Sequence, residues 1–196
     1  MHRNIIDYEA RILNKPSDHL GPPHLVGECT ERTHYRLIIQ FHGNQQGTSF
    51  TTSTVLSKKR IPDKMTWTRV IAKTAGVLAS IHEKGFFHND LTSNNVVIDN
   101  RYGFYNPVVI DFGESVPISG ARGPKSLSVE RQRQYAREFQ HIAPENASDV
   151  FSLAKIGETI FKKGELRHLH LVLVQALNAD PTKRPGSDKL TKQQHS

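Results

Sequence analysis

Hydrophobic residues recur at helical spacing in two well-separated segments of the chain. Residues 66–84 place an apolar stripe on one face of a predicted helix, and Gly85 is expected to end that helix. The stripe comprises Val70, Thr74, Val77, Leu78 and Ile81. Residues 149–161 are apolar nearly all round, which predicts a helix buried on every side. Shorter patterns predict further helices over residues 5–14 and 165–178.

Short apolar runs between polar turns predict strands. Leu25–Gly27 and Tyr35–Ile39 lie on either side of one polar turn. Val96–Ile98 and Val108–Ile110 flank Asp99–Gly103, a segment with the composition of a hairpin turn. Helices combined with short paired strands predict an α+β fold.

Composition limits the class of protein. The 196 residues are enough for one domain, spanning 1–196, with a substantial core. No apolar run is long enough to cross a membrane, so we expect no membrane partner. The first residues lack the apolar segment of a signal peptide, and the single cysteine, Cys29, cannot form an internal disulfide. We therefore expect an intracellular, cytoplasmic protein in which Cys29 is a small buried residue.

The chain is basic, with a formal net charge of +7. Its basic clusters are dispersed and carry no interleaved aromatic residues, so nucleic acid is not an expected partner. Such clusters indicate either a solvated basic surface or an attraction to acidic or phosphorylated partners. The clusters are Lys58-Lys59-Arg60, Arg131 with Arg133 and Arg137, and Lys162-Lys163.

The candidate chemistry lies in His88-Asn89-Asp90-Leu91-Thr92-Ser93-Asn94-Asn95 and in Asp111-Phe112-Gly113. An Asp five residues before an Asn, followed by Asp-Phe-Gly, is the arrangement used for phosphoryl transfer. One carboxylate, Asp90, is needed near the attacking hydroxyl. Asp111 and the amide oxygen of Asn95 suit Mg²⁺, since hard cations prefer oxygen ligands. The predicted strands between Asn95 and Asp111 would bring these two ligands together.

Further motifs follow this pair. Ala143-Pro144-Glu145, Ser148–Leu153 and Asp180–Pro185 come in that order. The whole set resembles the catalytic lobe of the eukaryotic protein kinase family, strongly over about residues 60–190. The resemblance implies an ion pair between Glu145 and Arg184. It also implies that Asp149 braces the backbone of the loop containing His88, Asn89 and Asp90.

The first residues resemble the small lobe of the same family. Glu9 matches the glutamate of the regulatory helix, and Leu37–Gly43 matches the fifth strand and hinge. The resemblance implies that the backbones of Gln40 and His42 face the adenine of ATP, with Val97 beneath the ring. The implied fold is two-lobed, with a partial small lobe and hinge over residues 1–43 and a mostly helical large lobe over residues 44–196.

The sequence also departs from the family. It contains no Gly-x-Gly-x-x-Gly loop and no Val-Ala-Ile-Lys-like strand before Glu9, so the first three strands of the small lobe are expected to be missing. Either an incomplete product of a longer protein or a degenerate kinase would have this pattern. Asn89 replaces the usual Arg of His-Arg-Asp, which argues against control by phosphorylation of the activation loop.

The leading function is ATP- and Mg²⁺-dependent phosphoryl transfer to protein Ser/Thr or Tyr hydroxyls. Asp90 would orient the hydroxyl or accept its proton, and His88 would shape the loop. Without the Gly-rich loop and the Lys, we expect this chain to bind ATP weakly and to transfer little phosphate. One alternative is a pseudokinase that serves as a binding or scaffold module. Another is a small-molecule kinase of similar fold, such as an aminoglycoside or choline phosphotransferase, although the Ala-Pro-Glu set argues against it.

Overall fold

The computed structural model describes residues 9–14, 22–31, 34–61, 63–118, 146–161, 175–176 and 183–185, and the structural statements below concern these residues. Several predicted features fall wholly or mostly outside them. They are the Ala143-Pro144-Glu145 motif, nearly all of the helix over 165–178, the Asp180–Thr182 part of the late motif, and the basic clusters at Arg131, Arg133 and Arg137 and at Lys162-Lys163.

Four helices have five or more described residues, and residues 175–176 are helical as well. Residues 9–13 form the described part of α1. The others are α2 (Thr52–Ser57), α3 (Lys64–Glu83) and α4 (Asn146–Ile160). The predicted helix over 66–84 is therefore confirmed as α3, with a start two residues earlier.

The ends of α3 follow from its sequence. The Asp63 carboxylate accepts a hydrogen bond from the backbone N–H of Thr66 at 2.7 Å, which satisfies an otherwise unpaired donor of the first turn. Gly85, just after the helix, adopts a φ of 87°, a conformation that favours glycine. Its N–H donates to the carbonyl of His82 at 2.9 Å.

The strands form three antiparallel pairs. β1 (Leu25–Glu31) pairs with β2 (His34–Ile39), β3 (Phe86–Phe87) with β6 (Val116–Pro117), and β4 (Val96–Asp99) with β5 (Asn106–Val109). The predicted hairpin is thus confirmed, with Val96 opposite Val109 and Asp99 opposite Asn106. Its turn contains Gly103 at a φ of 79°. Together with the helices, these strands make the fold α+β, as the sequence predicted.

One hydrophobic core joins these elements. Every residue of β4 is buried, and α3 packs on both β5 and α4. Each large apolar side chain that is fully buried contributes about 1.5–3 kcal/mol relative to exposure. The largest of them are Phe112, Ile12, Leu78, Ile81, Leu91 and Leu153, which come from α1, α3, α4 and the loops between them.

The β1–β2 pair is less well covered. Val26 and Ile38 are 64% and 52% exposed. Cys29, in β1, is half-buried, so the expectation of a fully buried cysteine is wrong. The reason is that β1 pairs with β2 alone within the described part of the chain. In that part, no helix combines the length and apolar character needed to cross a bilayer.

Candidate functional site

Asn95 ties the loop of residues 88–95 to the β4–β5 hairpin. Its side-chain Nδ2 donates to the Asp90 carbonyl at 2.8 Å and to Asp90 Oδ2 at 3.2 Å. Its backbone N–H donates to the carbonyl of Thr92 at 3.0 Å, and its own carbonyl accepts from the N–H of Ile110 at 2.9 Å. Ile110 immediately precedes Asp111, so the hairpin brings together the residues predicted to hold a metal.

The oxygens at this position suit a hard cation. Because Asn95 uses its Nδ2 for Asp90, its Oδ1 is left as an acceptor, and the Asp111 side chain is exposed. Asp111 has a φ of 64°, a left-handed conformation that is uncommon for a residue with a Cβ. No cluster of three or more His, Cys, Asp or Glu side chains able to hold a metal occurs among the described residues. Two protein oxygens would leave the remaining positions of a Mg²⁺ ion to water and phosphate oxygens, the usual arrangement for this ion.

His88 is fully buried beneath the loop. Its Nε2 donates to the Ile110 carbonyl at 3.1 Å, while its Nδ1 accepts from the Asp90 N–H at 3.2 Å. These contacts require a neutral ring protonated on Nε2. Burial lowers the pKa of His88, although the carboxylates of Asp149, Asp90 and Asp111 oppose that shift. The imidazole is therefore uncharged, and it fixes the backbone of Asp90 through this hydrogen bond.

Asp149, near the start of α4, has its carboxylate buried under the same loop. Oδ2 accepts from the backbone N–H of His88 at 2.8 Å, and Oδ1 accepts from the N–H of Asn89 at 2.9 Å. A third donor, His82 Nε2 in α3, reaches Oδ2 at 2.8 Å. Burial alone would raise the pKa of Asp149, but the hydrogen bonds and charges from His82, His88 and Asn89 outweigh it, so the pKa is lowered.

Sequence reasoning did not identify His82. The only available signal was its position on the buried face of the predicted helix, six residues before His88. A polar residue on an apolar helix face indicates a buried hydrogen bond, because an unpaired polar group would be costly there.

Asn89 occupies a strained position. Its φ is 65°, a region that Asn tolerates better than most residues. Its Nδ2 donates to the Glu114 carbonyl at 2.9 Å, and its backbone N–H is held by Asp149. These contacts from both sides maintain a backbone conformation that an isolated peptide would rarely adopt. Asn89 also links the loop to the segment that follows Asp111-Phe112-Gly113.

Glu9, in α1, points toward that same segment. Its Oε1 accepts a hydrogen bond from the N–H of Phe112 at 3.4 Å. Burial raises the pKa of Glu9, and the nearby charge of Asp111 adds to the increase, while the hydrogen bond from Phe112 opposes it. The side chain is therefore a half-buried contact of the Asp-Phe-Gly segment and not a solvated charge on the helix surface.

The residues predicted to face adenine lie after β2 and in β4. The N–H of Gln40 donates to the His24 carbonyl at 2.8 Å, so its own carbonyl is the group left for a ligand. His42 Nδ1 donates to Asp99 Oδ2 at 2.8 Å, which turns its imidazole toward the hairpin. Val97 is buried in β4 and pairs with Thr51.

Asp99 is a second buried carboxylate that the sequence did not reveal. Arg101 donates to both of its oxygens, with Nη2 to Oδ2 at 2.6 Å and Nε to Oδ1 at 3.1 Å. Burial would raise the pKa of Asp99, but the hydrogen bonds from Arg101 and His42 lower it overall. Through these hydrogen bonds, Asp99 and Arg101 hold the segment that contains His42 against the hairpin turn.

Arg184 is buried, and its guanidinium carbon lies 4.8 Å from the ring centroid of Phe151 in α4. Its predicted partner, Glu145, is outside the described residues.

Comparison with known proteins gives a partial match. No protein-family model matches the chain. It is similar to the dual specificity testis-specific protein kinase 2 of Rattus norvegicus and to that of Mus musculus, at 38% identity over 78 residues in each case. The match covers 38% of this chain and 14% of either relative's length. The chain thus spans a small part of these kinases, and its similarity to a protein kinase is partial.

Proposed function

We propose that the chain is a domain of protein-kinase type that binds Mg²⁺ and ATP and transfers the γ-phosphoryl group to a protein hydroxyl. The partial similarity to protein kinases supports this class of reaction. The observation that carries the proposal is the convergence of Asp90, Asn95 and Asp111 at one end of the β4–β5 hairpin.

The contacts of these residues support the following roles. Asp90 is oriented by Asn95 through its side chain and by His88 through its backbone. Its carboxylate would take the proton of the attacking hydroxyl as the oxygen–phosphorus bond forms and the bond to the departing ADP oxygen breaks. Asn95 and Asp111 would hold Mg²⁺, which neutralises phosphate charge when bound.

The proposal includes a two-lobed arrangement over residues 1–196. ATP would lie between the segment of Gln40 and His42 on one side and Val97 with Asp111 on the other. Glu9 would keep α1 against the Asp-Phe-Gly segment, because its carboxylate contacts the N–H of Phe112. The substrate-side segment would be anchored by Glu145 and Arg184.

A second candidate is a binding module without transferase activity. The 196 residues contain no Gly-x-Gly-x-x-Gly loop, the element that covers the phosphates in kinases. Positioning of the phosphates is most of what such an enzyme contributes. A chain that keeps the metal oxygens but lacks this loop would bind nucleotide weakly and serve as a docking partner.

Thermal melting of the chain with Mg·ATP tests nucleotide binding. A ligand that binds only the folded state raises the melting temperature, and the increase grows with the logarithm of the ratio of ligand concentration to Kd. We expect a small increase at millimolar nucleotide that requires Mg²⁺. Asp111→Asn should abolish it, whereas Asp90→Asn should retain it. Glu158→Gln, an exposed carboxylate-to-amide change in α4, is the matched control.

Transfer of radiolabelled phosphate from ATP to a mixed protein substrate separates the two candidates. Transfer that Asp90→Asn abolishes supports the enzyme. Binding that depends on Asp111 without any transfer supports the binding module. If Mg·ATP leaves the melting temperature unchanged, the nucleotide site is rejected.

A further inference from the structure

Three consecutive basic residues follow the last helical residue of α2, and none of them contacts the candidate site described above. Lys58, Lys59 and Arg60 are all exposed and are termed the basic cluster here. No ion pair involves any of the three among the described residues. The neighbouring carboxylate, Asp63, is used to cap α3. The cluster therefore presents cations that form no direct ion pair with any residue of the described part of the chain.

The side chains on either side of Lys59 are arranged around one ring. The guanidinium carbon of Arg60 lies 3.8 Å from the ring centroid of Phe50, and Lys58 Nζ lies 5.9 Å from it. Phe50 is partly buried against the core, and its carbonyl accepts from the N–H of Ile98 at 2.9 Å. A ring held in this way limits the freedom of the two cations, which lowers the entropic cost of binding an anion.

The backbone at Lys59 is strained. The N–H of Lys59 donates to the Leu56 carbonyl and that of Arg60 to the Val55 carbonyl, both at 3.1 Å. This pair of bonds is the Schellman helix ending, in which glycine is the most common residue at the left-handed position. Lys59 occupies that position with a φ of 47°.

Helix capping alone does not explain this lysine. A cation near the C-terminal end of a helix is favourable, but Lys58 and Arg60 already supply it. Glycine at residue 59 would make the same two backbone bonds without strain. The sequence instead keeps a third charge at a conformational cost, and such an outlier points to a role outside folding.

From this geometry we propose that the basic cluster is a docking site for an acidic segment of a partner protein. Charge complementarity identifies the partner, since the three cations at this helix end have no carboxylate partner among the residues that the structure describes. Nucleic acid fits less well, because the face of Phe50 is occupied by Arg60 and is not open for stacking a base. The inference does not depend on the proposed phosphoryl transfer.

The cluster lies at the opposite end of α2 from the candidate site. At the start of the helix, the N–H of Ser53 donates to the Ser93 carbonyl at 3.0 Å, and Thr52 Oγ1 donates to the Val96 carbonyl at 3.0 Å. Six helical residues span about 9 Å. The backbone of the cluster is thus a helix length away from these contacts, whereas the Arg60 side chain reaches back to Phe50, next to the N-cap Thr51. None of the hydrogen bonds of Asp90 and Asn95 described above involves a residue of the cluster.

Fluorescence anisotropy with a labelled glutamate-rich peptide tests the proposal on the full chain. Lys58→Gln with Arg60→Gln should weaken binding about tenfold, as expected for the loss of two exposed charge contacts. The matched control, Arg36→Gln with Lys155→Gln, removes the same charge from two exposed or half-exposed sites elsewhere. We expect it to change binding less than about twofold. A peptide with glutamine in place of glutamate should bind none of the three proteins: the unsubstituted chain, the double variant of the cluster, or the control.

Lys59→Gly separates docking from folding. This variant should raise the melting temperature by a few degrees through relief of strain, while weakening peptide binding about threefold. The double variant Lys58→Gln with Arg60→Gln is termed the cluster variant. If it and its control weaken peptide binding equally, the effect is explained by net charge alone and the proposal is overturned. An unchanged affinity in the cluster variant would also overturn it, as would tighter binding of a labelled oligouridine that depends on the same residues.

Discussion

At the scale of single residues, the Asp149 carboxylate joins three separate donors beneath the loop of residues 88–95. It is buried, and it accepts hydrogen bonds from His82, His88 and Asn89. A buried carboxylate is stable only when its oxygens are paired with donors. Removing its charge changes the environment of all three donors at once.

Asp149→Asn should lower the free energy of unfolding by on the order of 3 kcal/mol, because an amide N–H₂ group cannot accept from donors that face a carboxylate oxygen. The difference should shrink in acid. The folded-state pKa of Asp149 lies below its ordinary value of 3.8, so its stabilisation is present above that pH and is lost as the pH falls through the lowered value. Urea denaturation across this range measures both effects, with Glu158→Gln as the control. A pH-independent difference would contradict the assignment.

His88 should make stability depend on pH near neutrality. Its folded-state pKa is lowered from 6.5, so the unfolded chain binds more protons as the pH falls below that value. Stability contributed by the neutral ring is therefore present above about pH 6.5 and declines below it. His88→Gln should flatten the urea-derived stability between pH 7 and pH 5. The matched control, His24→Gln, removes an exposed imidazole, and an equal flattening there would contradict the role given to His88.

At the scale of elements, the sequence predicted those with strong local patterns. The apolar stripe of α3 and the runs of β4 and β5 were sufficient, because each carries its own periodicity and turn residues. It did not predict α2, β3 or β6. The first is six residues long, and the two strands have two residues each. Phe86 and Phe87 pair with residues about thirty positions later in the chain, and no local pattern encodes such a contact.

The loop between β2 and α2 should be intolerant of side chains at Gly43. A Cβ at this position would lie 2.5 Å from the Thr48 carbonyl oxygen and 2.6 Å from Phe41 Cζ. The Gly43 carbonyl also accepts from the N–H of Asn100 at 3.0 Å, which holds the loop on the hairpin turn. Gly43→Ala should therefore cost about 1–3 kcal/mol in urea denaturation.

The matched control for that substitution is Gly27→Ala in β1, where a Cβ would meet no atom within 4 Å. It should change stability by less than about 0.5 kcal/mol. Equal costs at the two positions would mean that the close approach at Gly43 is relieved by movement of the loop.

At the scale of the whole molecule, the described elements share one core whose members run from Ala10 to Ala176 in the chain. Trp67, the only tryptophan in the chain, is buried in α3 within that core. We predict that its fluorescence and the far-ultraviolet circular dichroism will report the same urea midpoint, as expected for a single cooperative unit. Two separate midpoints would contradict the assignment of residues 1–196 to one domain.

The candidate site shows the limit of sequence reasoning at this scale. Residue order singled out Asp90, Asn95 and Asp111, because their spacing is tied to a known chemistry. It could not give the hydrogen bonds from His82 to Asp149 or from His42 to Asp99, since these depend on how separate elements pack. Contacts of this kind are set by the assembled core and not by neighbours in the chain.

The three hydrogen bonds to Asp149 also bear on the order of folding. Their donors are 60, 61 and 67 residues away in the chain. Closing loops of this length is slow, and the carboxylate gains nothing from burial until all three donors are in place. We therefore expect Asp149 to become buried late, after α3 and α4 have met. Asp149→Asn should then accelerate unfolding far more than it slows refolding, and the loop carrying Asp90 would acquire its shape only in the last stage of folding.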